Sequence, residues 1–558
     1  MTDLSSTKLP LANFRTALAS PRAEKRIDAL ISADDAAEQV AALSVTDLFF
    51  LIDEVGLADC VELLSLCTNQ QIRGCIDMEI WDRDMPQIEA LLPWLATIQE
   101  NGFEFLGRVW SGLDQELAAL TLASLCNIYD KSLGEEVPDE EERDYFETPD
   151  TFFQIVLINE DQAQDKLVHS IIEDLYRADM QMARHTIMSA RSEPKAELEE
   201  MSYRWRSGRM ADLGYVEFYE ALEVFRLLDP SSIKIGEDTA GELEAAVIAD
   251  ETPLVSVLPV VVIDSVVGRS FFVQALEQIQ DETTVANLQS ALLFLVNRVM
   301  SAGRLQPGQS EALKLAALHA TATVALGLEY VSDGSVDKAS EALRSISMSR
   351  LHRVGYTLCV RMARFARMIA PRALNAGETT LCVLEAVLGK RPFYPAILDN
   401  PQSTEMRAIE SLADLRKIAD YLSDLALRIA IADALGVKLD LPSSPELAQG
   451  PKLDDYVRTA LLHQLSGRAL STSPILAEEL ATFRDLAHAG ISDQQKALAG
   501  LSLTALLDDV GVVEARASLT RLITQWFSDL QESFSALPQD QDIDSKFLGG
   551  VISCEQKD

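Results

Sequence analysis

The chain has 558 residues, of which 87 are acidic and 48 basic, for a formal net charge of −39. That length exceeds the size at which a single core stops growing, so roughly two to four domains are expected. A hydrophobic content of 48% excludes global disorder. The average field repels nucleic-acid phosphates and anionic membranes, so neither is expected as a partner. Aromatics are only 6%, with Ala and Leu abundant, which favours an all-α fold.

The opening "MTDLSSTKLPLANF" has no charged segment leading into an apolar one, so it reads as a start without a secretory leader. The most apolar runs are 254–263, 290–297 and 315–328, each short of the ~20 residues that span a bilayer. Seven scattered cysteines without a CxxC pair read as reduced, buried thiols, and a cytoplasmic location follows as an expectation.

Residues 22–131 read as short helices in close succession. Capping-box patterns recur at "DAAE" (35–38), "SVTD" (44–47) and "TNQQ" (68–71), each followed by apolar residues at helical spacing. A loose likeness of "LFFLIDEVG" (48–56) to "LPWLATIQENG" (92–102), about 44 residues on, matches the period of HEAT or armadillo repeats. A superhelix and an ordinary compact bundle both fit. "SLGEEVPDEEERDYFETPD" (132–150) has nine acids and two prolines, and is expected to be a solvated linker between separately folded units.

Residues 151–230 form a second helical segment, opened by a short strand at "TFFQIVLI" (151–158). Within it "YRWRSGRMADLGYVEFYEALEVF" (203–225) sets three arginines beside six aromatics. The spacing predicts a helix ending at Gly208, with Leu198, Met201 and Trp205 as its core stripe and Glu200 pairing with Arg204. A second helix follows, with Tyr215, Phe218, Tyr219, Leu222 and Phe225 on one face. Arg209 then falls in a turn with no evident internal acid. It is the first candidate to grip a partner carboxylate or phosphate, helped by Arg206.

A soft boundary at 228–253 precedes a helical bundle, 254–440. A break at 439–452 precedes a C-terminal helical unit, 453–536, and a tail, 537–558, with little to bury. In "SRLHRVGYTLCVRMARFARM" (349–368), Arg361, Arg364 and Arg367 recur every third residue and form one helical ridge, with Val360, Met362, Phe365 and Met368 turned elsewhere. The ridge fits either an acidic partner or internal acids.

No GxxxxGK followed by Ser or Thr is present, nor GxGxxG after a strand, HExxH or GxSxG. The six histidines lie far apart, and His319 and His463, inside apolar runs, read as core or boundary residues. No catalytic residue, metal ligand or cofactor is assigned.

"YRWRSGRMADLG" followed by "EALEVFRLLDP", with "LFFLIDEVGLADCVELLSL", "LHRVGYTL" and "KRPFYPAI", resembles an uncharacterised bacterial family of long, helical, cytosolic proteins. That resemblance implies no activity. Residues 22–131 also look like the cytoplasmic N domain of MgtE-type magnesium transporters, which implies a superhelix of short helices. The chain departs from such transporters in lacking their membrane helices and paired nucleotide-binding modules.

The sequence thus predicts an all-α, multi-domain protein, its N-terminal superhelix followed by helical bundles. Its expected function is a non-catalytic interaction or regulatory scaffold with a protein partner. An enzyme with an unrecognised site and a divalent-cation-responsive regulator are the alternatives.

Overall fold

A computed structural model of the chain describes residues 27–28, 30–138, 145–158, 162–236, 270–373, 376–437, 451–508, 516–537 and 550–554. They are mostly helical, as composition implied, with a few short strands. The chain divides into two compact units, Met1–Val354 and Gly355–Asp558. The chain start, the apolar run 254–263, and most of the expected breaks at 228–253 and 439–452 and of the tail lie outside the described residues.

In the first unit, α1 (Ala36–Ala41), α2 (Val45–Val55), α3 (Val61–Leu66) and α4 (Asn69–Glu79) follow one another closely. A hairpin, β1 (Trp81–Asp82) with β2 (Met85–Pro86), leads into α5 (Ile88–Glu100), α6 (Phe103–Gly112) and α7 (Gln115–Leu125). Thr68 and Gln71 form the complete capping box that starts α4. Gln71 Nε2 also donates to the Val40 and Leu43 carbonyls at 2.7 and 2.9 Å, tying α4 to the C-terminal end of α1. At α1 the expected cap is absent, because Asp35 accepts from Gln39 instead of a backbone N–H.

At α2, Ser44 Oγ accepts from the Asp47 N–H at 3.0 Å and donates to Asp47 Oδ2 at 2.7 Å. Asp47 Oδ1 is buried without a partner. Burial pushes the Asp47 carboxyl up to about 7, against the smaller opposing pull of the Ser44 hydrogen bond. Between its ordinary 3.8 and 7 the folded chain holds a proton that the unfolded chain releases, so stability falls as pH rises through that window. Asp47→Asn is expected to flatten this slope and to stabilise the protein above pH 7. Three units correspond to roughly 4 kcal/mol at full size, and about 2 kcal/mol is expected for a half-buried residue. Urea unfolding at pH 5 and pH 8 measures it, and a variant with the wild-type slope would refute it.

The acidic stretch does not separate two folded units. β3 (Cys126–Asp130) precedes it, β4 (Tyr145–Glu147) lies inside it, and β5 (Phe153–Leu157) follows it, in one antiparallel sheet of order β3-β5-β4. All five β3 residues pair with β5, from Cys126 opposite Leu157 to Asp130 opposite Phe153. The expected strand at 151–158 is therefore present, but the strand it pairs with was read as helix. Three acids of this stretch have cations nearby: Glu135 meets Arg191, Glu147 meets Lys131 at 2.7 Å, and Asp150 meets Arg184 at 2.8 Å.

Next come α8 (Gln162–Ala178), α9 (Met180–Ser192) and α10 (Lys195–Asp212). α8 packs on α6, and α9 and α10 both pack on α7. α10 runs straight through Gly208 and ends before Gly214, whose φ of +88° only glycine adopts freely. A side chain at Gly214 would also come within 3.0 Å of Phe294. The second helix of the aromatic stretch shrinks to α11 (Phe218–Ala221) and a 3₁₀ turn, Leu222–Phe225, so its predicted face breaks up: Tyr215 is buried and Tyr219 is 83% exposed.

The unit is completed by α12 (Phe271–Glu277), α13 (Glu282–Gly303), α14 (Ser310–Val331) and α15 (Val336–Ser345). Helix α14 extends the apolar run read at 315–328 to a length and composition that would cross a membrane, and 67% of that window is buried in the fold.

α16 (Met348–Ile369) carries the chain into the second unit. There follow α17 (Glu378–Leu388), the hairpin β6 (Phe393–Pro395) with β7 (Met406–Ala408), α18 (Leu412–Ala434) and α19 (Leu453–Leu465). Then come β8 (Ile475–Leu476), α20 (Ala477–Ala489), α21 (Asp493–Asp508), α22 (Arg516–Ser535) and β9 (Ser553–Cys554), which pairs in parallel with β8. Leu427 and Ile431 of α18 share one core with Val457, Leu461, Leu503 and Trp526, so the break expected near 440 does not divide this core.

Candidate functional site

The two arginine groups singled out in the sequence meet opposite fates. Arg209 was expected to be free, yet it is held by two carboxylates. Its Nε and Nη2 donate to Asp77 Oδ2 and Oδ1 at 2.7 and 3.1 Å, and its Nη1 and Nη2 donate to Asp114 Oδ1 and Oδ2 at 2.9 and 2.6 Å. These are two forked, charge-assisted pairs on one guanidinium. Arg209 stands in the last turn of α10, Asp77 on α4, and Asp114 at the start of α7, so three helices converge on one side chain. Asp114 occupies the N-cap position of α7 but makes no cap hydrogen bond, its carboxylate being turned to Arg209. Arg73 Nη1 approaches Asp114 at 3.8 Å.

Burial alone would depress the Arg209 guanidinium, but the hydrogen bonds and charges of Asp77 and Asp114 outweigh it and hold it above its ordinary range. Burial likewise pushes the Asp77 carboxyl up while Arg209 pulls it down. The forked hydrogen bond is the geometry of the ionised pair.

Arg206 is committed as well. It is 8% exposed; its Nε donates to the Asp77 carbonyl at 3.0 Å, its Nη1 to the Arg83 carbonyl at 3.4 Å, and its guanidinium lies 5.0 Å over the Trp81 ring. The Asp77 carbonyl belongs to the last turn of α4 and the Arg83 carbonyl to the β1–β2 turn, so Arg206 satisfies acceptors that a helix end and a tight turn leave open. Neither Arg206 nor Arg209 is available to a partner. The residues missed were Asp77 and Asp114. A signal for Asp77 was present in "CIDM" (75–78), where an acid interrupts apolar neighbours that are all buried and so calls for a cation.

With Arg206 and Arg209 turned inward, Leu198 alone of the predicted core stripe stays buried, Met201 being half-buried and Trp205 exposed. α10 buries Leu198, Ser202, Arg206 and Met210, and Trp205 is 49% exposed. Arg204 is exposed, and no ion pair to Glu200 is formed.

The second group is presented as a ridge. Arg361, Arg364 and Arg367 are all exposed on α16, and they fall within an arc of about 120° at 100° per residue. Cys359, Ala363 and Ala366 are buried on the other side of the helix. Arg364 and Arg367 form no ion pair among the described residues, although the chain carries 87 acids. Met368 was expected to turn away from the ridge. It is 71% exposed and lies at the same angular position as the arginines, so the ridge has an apolar edge.

Of the histidines, His463 is buried with its Nε2 2.8 Å from the Ser473 carbonyl, and His319 is half-buried, as core and boundary residues are. Among the described residues no group of three His, Cys, Asp or Glu side chains is placed to hold a metal ion. All seven cysteines are free thiols, and five are buried.

Architecture and surface together define a predominantly α-helical protein with two compact units and, among the described residues, an exposed basic ridge on α16. The chain belongs to the family of unknown function DUF6178, whose model matches residues 4–553. No curated protein and no solved structure matches the chain.

Proposed function

We propose that this protein is a non-catalytic scaffold of the bacterial cytoplasm that docks an acidic protein segment along Arg361, Arg364 and Arg367. The observation that carries the reading is the exposed ridge on α16, with Arg364 and Arg367 unpaired among the described residues of a strongly acidic chain. Guanidinium forks suit carboxylates, and the edge at Met368 offers an apolar contact beside them. An amphipathic helix with acids at every third or fourth position presents the matching surface. The chain's own charge of −39 disfavours nucleic acid and membrane insertion as partners. Unbridged cysteines favour a reducing compartment.

In this reading residues 22–131 act as a superhelical platform of the HEAT or MgtE N-domain kind. Its support is that α2 packs on α4, α3 on α5 and α4 on α6, the alternate-helix packing of stacked helix pairs.

The test uses fluorescence anisotropy with the full chain and a labelled, Glu-rich amphipathic peptide. Binding is expected, weakening as salt rises, and the combined Arg361→Gln, Arg364→Gln, Arg367→Gln variant should lose about tenfold or more in affinity. Equal binding of wild type and variant would overturn the proposal. So would tighter binding of a single-stranded oligonucleotide than of the peptide.

A further inference from the structure

Gly208 lies inside an eighteen-residue helix, where glycine is unfavourable relative to alanine. Gly74 and Gly107, also inside helices of the first unit, have a reason within the fold. A Cβ at Gly74 would meet Val45 at 2.6 Å, and one at Gly107 would meet Ala178 at 2.5 Å. At Gly208 an added Cβ meets nothing within 4 Å. One turn before it, Trp205 exposes half of its surface. Met201, Trp205, Gly208 and Asp212 follow at spacings of four, three and four, so they form one continuous stripe on the outer face of α10. Arg204, beside this stripe, and Asp212, at its end, are exposed, and neither forms an ion pair among the described residues.

This face is complementary to itself. An antiparallel second copy, related by a two-fold axis between Trp205 and Gly208, sets each indole over the glycine of the other helix. The same operation brings each Arg204 toward the Asp212 of the other chain. A bulky ring needs a site without a side chain, and an isologous contact supplies both halves from one sequence.

We propose that the outer face of α10 is the contact through which two copies of this chain associate, with Trp205 seated on Gly208 and Arg204 paired with Asp212 across the axis. The docking ridge on α16 is a different surface, so this proposal and that one stand or fall separately. Two chains of charge −39 repel through their average field, and the measurement belongs at physiological ionic strength, where screening acts over about 8 Å.

Sedimentation velocity on the full chain across the micromolar range is expected to show a monomer–dimer equilibrium. Trp205→Ala and Gly208→Leu should each weaken dimerisation by about tenfold or more, with Trp205→Ala keeping a thermal midpoint close to that of wild type when both are dilute enough to be monomeric. Arg204→Glu should weaken it too, and adding Asp212→Arg should restore it; both sites are exposed, so this pair tests the contact even if Gly208→Leu fails to fold. A monomeric wild type would overturn the proposal. So would a dimer whose affinity is indifferent to Trp205→Ala and is not rescued by the charge exchange.

Discussion

Arg209→Ala is expected to destabilise the first unit by about 3–5 kcal/mol, because it leaves a buried carboxylate without its counter-charge. Asp77 is fully buried, and its other contacts do not replace the two hydrogen bonds from Arg209. Asp114 loses two more, although it keeps Arg73 at 3.8 Å and lies nearer the surface. Removing all the charges should hurt far less than removing one. A triple variant, Arg209→Met with Asp77→Asn and Asp114→Asn, is expected to recover most of the loss. Chemical denaturation of the wild type, the single variant and the triple variant measures this. A single variant within 1 kcal/mol of wild type would show that Asp77 is neutral in the fold.

Trp94→Ala is the second large effect, at about 3–5 kcal/mol. The Trp94 side chain is fully buried in α5, and its Nε1 donates to Glu79 Oε2 at 2.8 Å. Glu79 is exposed as a residue, although burial pushes its carboxyl up and the Trp94 hydrogen bond pulls it down, so water replaces part of the lost donor and the cost is mainly that of the cavity. Trp94→Phe separates the two terms. It keeps most of the apolar volume and should cost well under half as much. Equal losses for the two variants would assign the energy to the hydrogen bond instead.

What was legible in the sequence is what neighbouring residues decide among themselves. The Thr68–Gln71 capping box is set by four consecutive residues, and the structure contains it as read. The strand at 153–157 announces itself by a β-branched and aromatic run. Its partner, "CNIYD" at 126–130, does not, because it continues an apolar helix and finds its mate only across the acidic stretch. The same limit explains the inverted α10. Helical periodicity defines stripes but does not say which one faces inward. The stripe of Leu198, Met201 and Trp205 is more apolar, yet acids 95 and 132 residues away draw the Arg209 side to the interior, and of that stripe Leu198 alone stays buried. The ridge on α16 was legible as a pattern, since charges every third residue are local, but its exposure depends on packing that the pattern does not contain.

The pairing of Asp77 with Arg209 also has a consequence for the order in which the protein is made. Asp77 and Asp114 leave the ribosome long before the arginine that neutralises them, and at 5–20 residues per second the interval from Asp77 is on the order of ten seconds. During that time α4 and α7 carry two acids destined for one buried site and no Arg209 to receive them. Closing that corner is costly until α10 arrives. The helices before the sheet are therefore expected to complete their packing on the growing chain only once α10, synthesised after the acidic stretch, brings Arg209 to them.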